Sequence, residues 1–232
     1  TGWREANEKA WLWVAATSLV TAFLIRCSRG GKVAKEMLGE TFNGILNSDR
    51  WSAYNWLPVS LRQLCWSHLL RDFQAFVERG GESQRIGKAI LAQSDQMFDW
   101  WHRIRDGTMT RAAFQAKMEP VQRKVGELLR QGATCAHDKT AGTCRDILKR
   151  EEALWTFVYV EGVEPTNNLG ERQVRLGHHA ADQERRSDDA HLTGLDDHQR
   201  PGNTLGRRAH GPSAVGRARD LFSRSQPCGL YA

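Results

Sequence analysis

An α/β fold with a large α-helical insertion is what this sequence predicts, and three features carry the prediction. Aromatic and β-branched residues crowd the segment 10–26, AWLWVAATSLVTAFLIR. From Leu69 to about Arg150, apolar residues recur at helical spacing. A short apolar segment, Leu154 to Val160, then leads into a helix start at EPTNN. Strands, a helical block and a return to the first part of the fold suit a sheet interrupted by helices.

The elements follow in order. Thr17-Ser18 splits the first apolar segment, so it reads as two neighbouring strands in a hairpin. Ser28 and the Gly30-Gly31 pair make a turn. Val33, Met37 and Leu38 then define a short helix from about Lys32 to Leu38, stopped by Gly39. Gly44-Ile45-Leu46 is expected to be a short buried strand with Asp49 just past its end. RQLCW, ending at Trp66, is expected to be another strand, leading into a helix from about Ser67.

Three stripes define the helical block: Leu69, Leu70, Phe73, Phe76 and Val77; Ile86, Ile90, Leu91, Met97, Phe98, Trp101 and Ile104; and Phe114, Met118, Val121, Val125, Leu128 and Leu129. Gly80-Gly81, Asp106-Gly107 and Gly132 are read as punctuation between helices. No internal repeat is visible.

Composition narrows the class. The 232 residues suffice for one or two domains with a real core. A net charge of +6 permits binding to nucleic acid or an anionic surface without requiring it. No apolar run reaches the roughly 18–20 residues that cross a bilayer, and Ala10–Ile25 lacks the flanks of a signal peptide. The five scattered Cys suggest no disulfide framework and point to a reducing cytoplasm. The chain opens at Thr1 rather than Met, which suggests a processed start or a fragment. The nine Trp are expected to be mostly core, with a few free to stack on bases.

Candidate chemistry lies in few places. Asp49, at a strand end, could face a ligand cleft or simply start a turn or cap a helix beginning near Trp51. Pro165-Thr166-Asn167-Asn168 is a helix start that puts Glu171 in the first or second turn, where the helix dipole favours a carboxylate. Glu171 could be a ligand or only a surface residue beside Arg172 and Arg175. Together, Asp49 and Glu171 suit divalent-metal phosphoryl transfer, although spacing alone says little. His68 and Arg71 would share a helix face. Cys135, His137 and Cys144 have loose zinc-ligand character but no paired C-x₂-C. No phosphate-binding glycine loop, dinucleotide fingerprint or nucleophile elbow occurs.

TGWRE, WLWVA, SDRWSAYNWLP, LCWSHLLRDFQA, ALWTFV and EPTNNLGER, in that order from Thr1 to about Arg175, resemble the insertion-sequence-66 family of bacterial DDE transposases. The resemblance implies a ribonuclease-H-like core over residues 1–68, a helical insertion over 69–152 and a return to the core over 153–176. It places the second catalytic Asp on Asp49 and the catalytic Glu on Glu171, both as metal ligands. It implies two Mg²⁺ or Mn²⁺ ions, with hydrolysis of a phosphodiester at the element's end and attack of the freed 3′-hydroxyl on target DNA. His68, Arg71, Asn167, Asn168 and Arg172 fall on motif positions and are assigned to support or DNA contact. The implied partners are DNA, at element ends and target, and further copies of the chain, with no membrane. The implied location is the bacterial cytoplasm, at the nucleoid.

Two departures qualify these expectations. The family's first catalytic Asp precedes the Thr that stands here as Thr1, so a fragment with weak metal binding and little or no catalysis is expected. Residues 177–232 contain no Trp, Ile, Met or Lys and five of the eight His. They are expected to be a disordered or poorly packed tail, of the kind an out-of-frame reading produces. A non-catalytic DNA-binding or assembly protein derived from a transposase is the alternative function. A helical interaction protein, with Asp49 and Glu171 as caps only, is a third.

Overall fold

The structure, a computed structural model, describes residues 2–5, 8–176 and 228–231. It is mixed α/β and mostly helical, and the chain divides into two compact units, 1–44 with 168–232, and 45–167. The expected disorder and altered frame of 177–232 lie outside the described residues, apart from Cys228–Tyr231.

In the first unit, β2 (Glu8–Ala16) is the central strand. It pairs antiparallel with β1 (Gly2–Glu5), with β3 (Thr21–Arg26) and with the late strand β6 (Cys228–Tyr231). β2 and β3 are the expected hairpin, and Thr17 closes it. The Thr17 hydroxyl accepts hydrogen bonds from the Leu19 and Val20 amides at 3.2 and 3.0 Å, so the polar break in the apolar run builds the turn. Residues Leu12 to Ala16 are buried without alternation, as expected of a strand covered on both faces.

Helix α1 (Gly31–Leu38) buries Val33, Ala34, Met37 and Leu38 and ends at Gly39, whose φ of 89° only glycine adopts freely. Arg26 of β3 forms an ion pair with Glu36 of α1. The last helix of this unit, α7, covers residues 168–176, and its Val174 packs on Leu12 and Val14.

In the 45–167 unit, β4 (Leu46–Ser48) and β5 (Arg62–Leu64) pair in parallel. The first of these strands lies two residues later than Gly44-Ile45-Leu46 implied. Val, Ile and Leu mark burial, but the ladder here is set by Asn47 and Ser48, which are also buried. Helices α2 (Trp66–Glu78), α3 (Gly81–Arg105), α4 (Arg111–Ala133), α5 (Asp138–Leu148) and the single turn α6 (Thr156–Tyr159) complete it. Their apolar stripes meet in one core. Trp101, Phe114 and Phe157 form an aromatic cluster with centroids 5.3 to 6.1 Å apart.

Two glycines set how closely the helices approach. Gly132 lies within α4 rather than ending it, and a Cβ there would sit 2.5 Å from the Cys144 sulfur of α5. At Gly87 of α3, a Cβ would meet the Phe73 carbonyl oxygen of α2 at 2.7 Å.

These contacts predict different outcomes for the same change. Gly87→Ala should destabilise this unit by about 1–3 kcal/mol, because a helix backbone has to give way. Gly132→Ala should also destabilise, but combining it with Cys144→Ala should cost clearly less than the two single changes added, because the obstructing sulfur is gone. Urea unfolding followed by Trp fluorescence measures both, and simple additivity at the second pair would contradict this account.

Candidate functional site

Asp49 follows β4 directly, in the 45–167 unit. Its Oδ1 accepts a hydrogen bond from the Trp51 amide at 2.8 Å, an Asx-turn that opens the short 3₁₀ turn Ser52–Tyr54. The turn role weighed for Asp49 is therefore present, whereas the short helix that follows has Trp51 at its cap position and no side-chain capping bond. Its second carboxylate oxygen is not used by that turn.

Beneath this loop lies Arg62, 1% exposed, whose guanidinium donates to the Asp49 carbonyl at 3.4 Å. Burial first, then the charge of Arg150, pushes its pKa down to about 10, against the pull of Tyr54, Asp49 and Asp146. It stays protonated at neutral pH, so a buried cation is fixed beside the Asp49 main chain.

The next residue, Arg50, fastens the loop to two helices. It donates to Asp72 of α2 and Asp146 of α5, each at 2.6 Å. Arg150 binds the other oxygen of Asp146 at 2.7 Å and reaches Asn55 at 3.1 Å. Charge-assisted bonds of this kind hold direction better than neutral ones.

A second group of contacts joins β4, the start of α2 and the segment 164–167. Asn47 Nδ2 donates to the carbonyls of Glu164 at 2.7 Å and Thr166 at 3.1 Å. The Trp66 amide donates to Pro165 O at 2.9 Å, the Cys65 amide to Ser48 O at 2.9 Å, and the Asn167 amide to Cys65 Sγ at 3.2 Å. Three stretches far apart in sequence thus satisfy one another's buried polar groups.

Of the support residues, Asn167 is 2% exposed and belongs to this junction, so its side chain faces protein. His68 sits half-buried in the first turn of α2, while Arg71, one turn on, is exposed and donates to Ser67 O at 3.3 Å. Asn168 and Arg172 are exposed on α7, and Glu171 is half-buried in its first turns, as the helix start at EPTNN implied. Asp49 and Glu171 therefore stand in different units.

Cys135, His137 and Cys144 do not form a zinc site. No metal-competent cluster among the described residues includes them. The Cys144 thiol is fully buried, and that burial, with Cys135 second, pushes it up to about 12. It fills the notch over Gly132 as a packing group.

Sequence reading missed Asn47, Arg62 and the Arg50–Asp72–Asp146–Arg150 network. One signal was available: Asn47 and Asp49 are two apart, the spacing of side chains on one face of a strand. Within the ion network only the Asp146–Arg150 pair, four residues apart, had a local signal, while the partners of Arg50 are distant in sequence.

The network predicts a pH effect. For Asp146, burial raises the pKa, but the hydrogen bond and charge of Arg150, with those of Arg50, outweigh it and hold the carboxyl below its usual range. The pairing thus stabilises the fold above the unfolded-state pKa of about 3.9 and is lost as pH falls through the lower folded value. Asp146→Asn should cost about 1 kcal/mol at neutral pH, a figure kept small by solvent screening. Thermal melts of the two proteins should converge below about pH 4, and a gap independent of pH would contradict the assignment.

Comparison with known proteins agrees with the motif order. No solved structure matches the chain. Among the described residues no helix is long and apolar enough to cross a membrane. An uncharacterized protein, y4qI, of Sinorhizobium fredii (strain NBRC 101917 / NGR234) is 29% identical over 194 residues, 72% of this chain. The chain spans about a third of that relative's length, 35%. The sequence profile described as "Transposase IS66 family" matches residues 1–178, more than half of the chain, and the protein belongs to that family.

Proposed function

We propose that residues 1–176 are catalytic-domain sequence of a DNA transposase with a ribonuclease-H-like core, in which Asp49 and Glu171 are ligands to divalent metal. The family supports a transposase role, and DDE transposases generally use divalent ions. The observation that carries the assignment is the junction in the 45–167 unit. Strand β4, which Asp49 directly follows, is hydrogen-bonded through Asn47 to the segment 164–167, and α7 with Glu171 begins at the next residue.

The donor set fits a hard cation. Two carboxylates offer oxygen ligands of the kind Mg²⁺ or Mn²⁺ takes, leaving positions for water and phosphate. The Arg62 guanidinium donates to the Asp49 carbonyl rather than to its carboxylate, although its charge also acts on that carboxylate. When bound, such ions would stabilise charge on the attacking and leaving oxygens of a phosphodiester. The protein's part is to supply the two carboxylates and to position DNA. Arg71, Asn168 and Arg172, all exposed, would contact phosphates, His68 would support them, and Asn167 would brace the helix start. Element ends and target DNA are the proposed substrates, and assembly into a homo-oligomer at the nucleoid is the proposed setting.

A second reading, a non-catalytic DNA-binding or assembly protein, is favoured by one contact. The Asx-turn at Asp49 gives that carboxylate a structural role of its own.

Metal binding separates the two. In Mn²⁺ titrations followed by electron paramagnetic resonance, Asp49→Asn and Glu171→Gln should each weaken affinity by about tenfold or more, roughly 1.4 kcal/mol. Affinity unchanged in both would leave only the second reading. On nonspecific duplex DNA, Arg71→Ala and Arg172→Ala should each lower the slope of log K against log salt by about 1 while leaving Mn²⁺ binding intact.

A further inference from the structure

Asn47 has no role in the family pattern described above, yet it is 5% exposed and lies on β4, two residues before Asp49, which follows the strand. Its Nδ2 makes two hydrogen bonds to main-chain carbonyls 117 and 119 residues away. The carboxamide is the side chain this place requires. Two carbonyls converge on one donor group, and Asn supplies two N–H bonds on a short stem. Asp would set a carboxylate against both carbonyls, and Ala would remove the donor from both.

The orientation of the amide is fixed by those neighbours, since an oxygen facing Glu164 O and Thr166 O would repel both. The Asn47 Oδ1 that results is buried without a hydrogen-bond partner among the described residues.

Cys65 completes the arrangement. Its sulfur, 1% exposed, accepts the Asn167 amide at 3.2 Å, and the Trp66 amide holds Pro165 O. Main-chain groups from 164 to 167 are thus held by one side chain of β4, one side chain before α2 and one amide of α2. The residue after Asn167 is the first of α7.

We infer that Asn47 is a positioning residue: with Cys65 it fixes segment 164–167, and so the place from which the Glu171 helix starts. The metal side of this inference rests on the proposed function, whereas the positioning itself does not.

The test uses the full chain and two readouts. Hydrogen exchange is measured by mass spectrometry over residues 164–172, and Mn²⁺ affinity by titration. Asn47→Ala should speed exchange in that segment by about tenfold and weaken Mn²⁺ binding by a similar factor. Gly87→Ala, which loosens the same unit between α2 and α3, should leave Mn²⁺ affinity within about twofold, because it lies outside the junction.

Unchanged exchange in Asn47→Ala overturns the inference. Faster exchange with Mn²⁺ affinity unchanged, while Asp49→Asn still weakens it, overturns the link to the metal site. Faster exchange with neither substitution affecting Mn²⁺ supports the positioning role and removes the proposed metal function instead. Should Asn47→Ala fail to fold, Cys65→Ala decides: exchange about threefold faster or more supports the inference, and unchanged exchange overturns it.

Discussion

Buried main-chain groups must find partners, and in the 45–167 unit that constraint is met where β4, the start of α2 and segment 164–167 converge. No one of these stretches can satisfy itself. A three-residue strand has few ladder bonds, and the segment before a helix has carbonyls that no helix uses. Asn47 supplies donors to two of them, Trp66 to a third, and Cys65 accepts the amide of Asn167. The rest of the unit can then be helical, because its ends are gathered at one place. Gln63 extends the same logic one strand over, donating to Leu154 O and accepting from the Phe157 amide, so β5 is joined to the turn that precedes α6.

Electrostatics fix the loop after β4 in a second way. Arg50 bridges α2 and α5, and Arg62 lies buried under the Asp49 carbonyl. Cations buried next to a proposed cation site look contradictory until their targets are compared. Arg50 and Arg150 are consumed by Asp72 and Asp146, and Arg62 by a main-chain oxygen. Arg50 and Arg150 are thereby neutralised, while the Arg62 charge still acts on Asp49 without a hydrogen bond to its carboxylate. Such a loop resists displacement, which is what a ligand-bearing loop in a phosphoryl-transfer site needs.

Legibility of the fold varied with the range of the interactions. The β2–β3 hairpin, the α1 helix ending at Gly39 and the stripes of α2 to α4 could be read because periodicity and turn residues act over a few positions. The shifted strand β4 and the misread Gly132 show the limit. Asn47 and Ser48 are not strand-forming by type, and they are buried in a strand because Asn47 donates to carbonyls more than a hundred residues away and Ser48 to the neighbouring Asp49 carbonyl. Gly132 is not a break but a clearance for Cys144, and only the partner helix reveals it. Of the site, the Asp49 turn and the helix start before Glu171 were legible, since both are local signals. The Arg50 network and Asn47 were not.

The sequence alone determined the mixed α/β class, the family, the hairpin, the amphipathic helices and the two carboxylates worth testing. Each rests on residue type and spacing within a short window or on an ordered set of motifs. Only the tertiary structure decided that Asn47, Cys65 and Asn167 share one junction, that Arg62 is buried beside Asp49, and that Arg50 joins α2 to α5. The physical reason is that a hydrogen bond spanning more than a hundred residues depends on where the whole chain has packed. Nothing in the type or spacing of its two partners announces it.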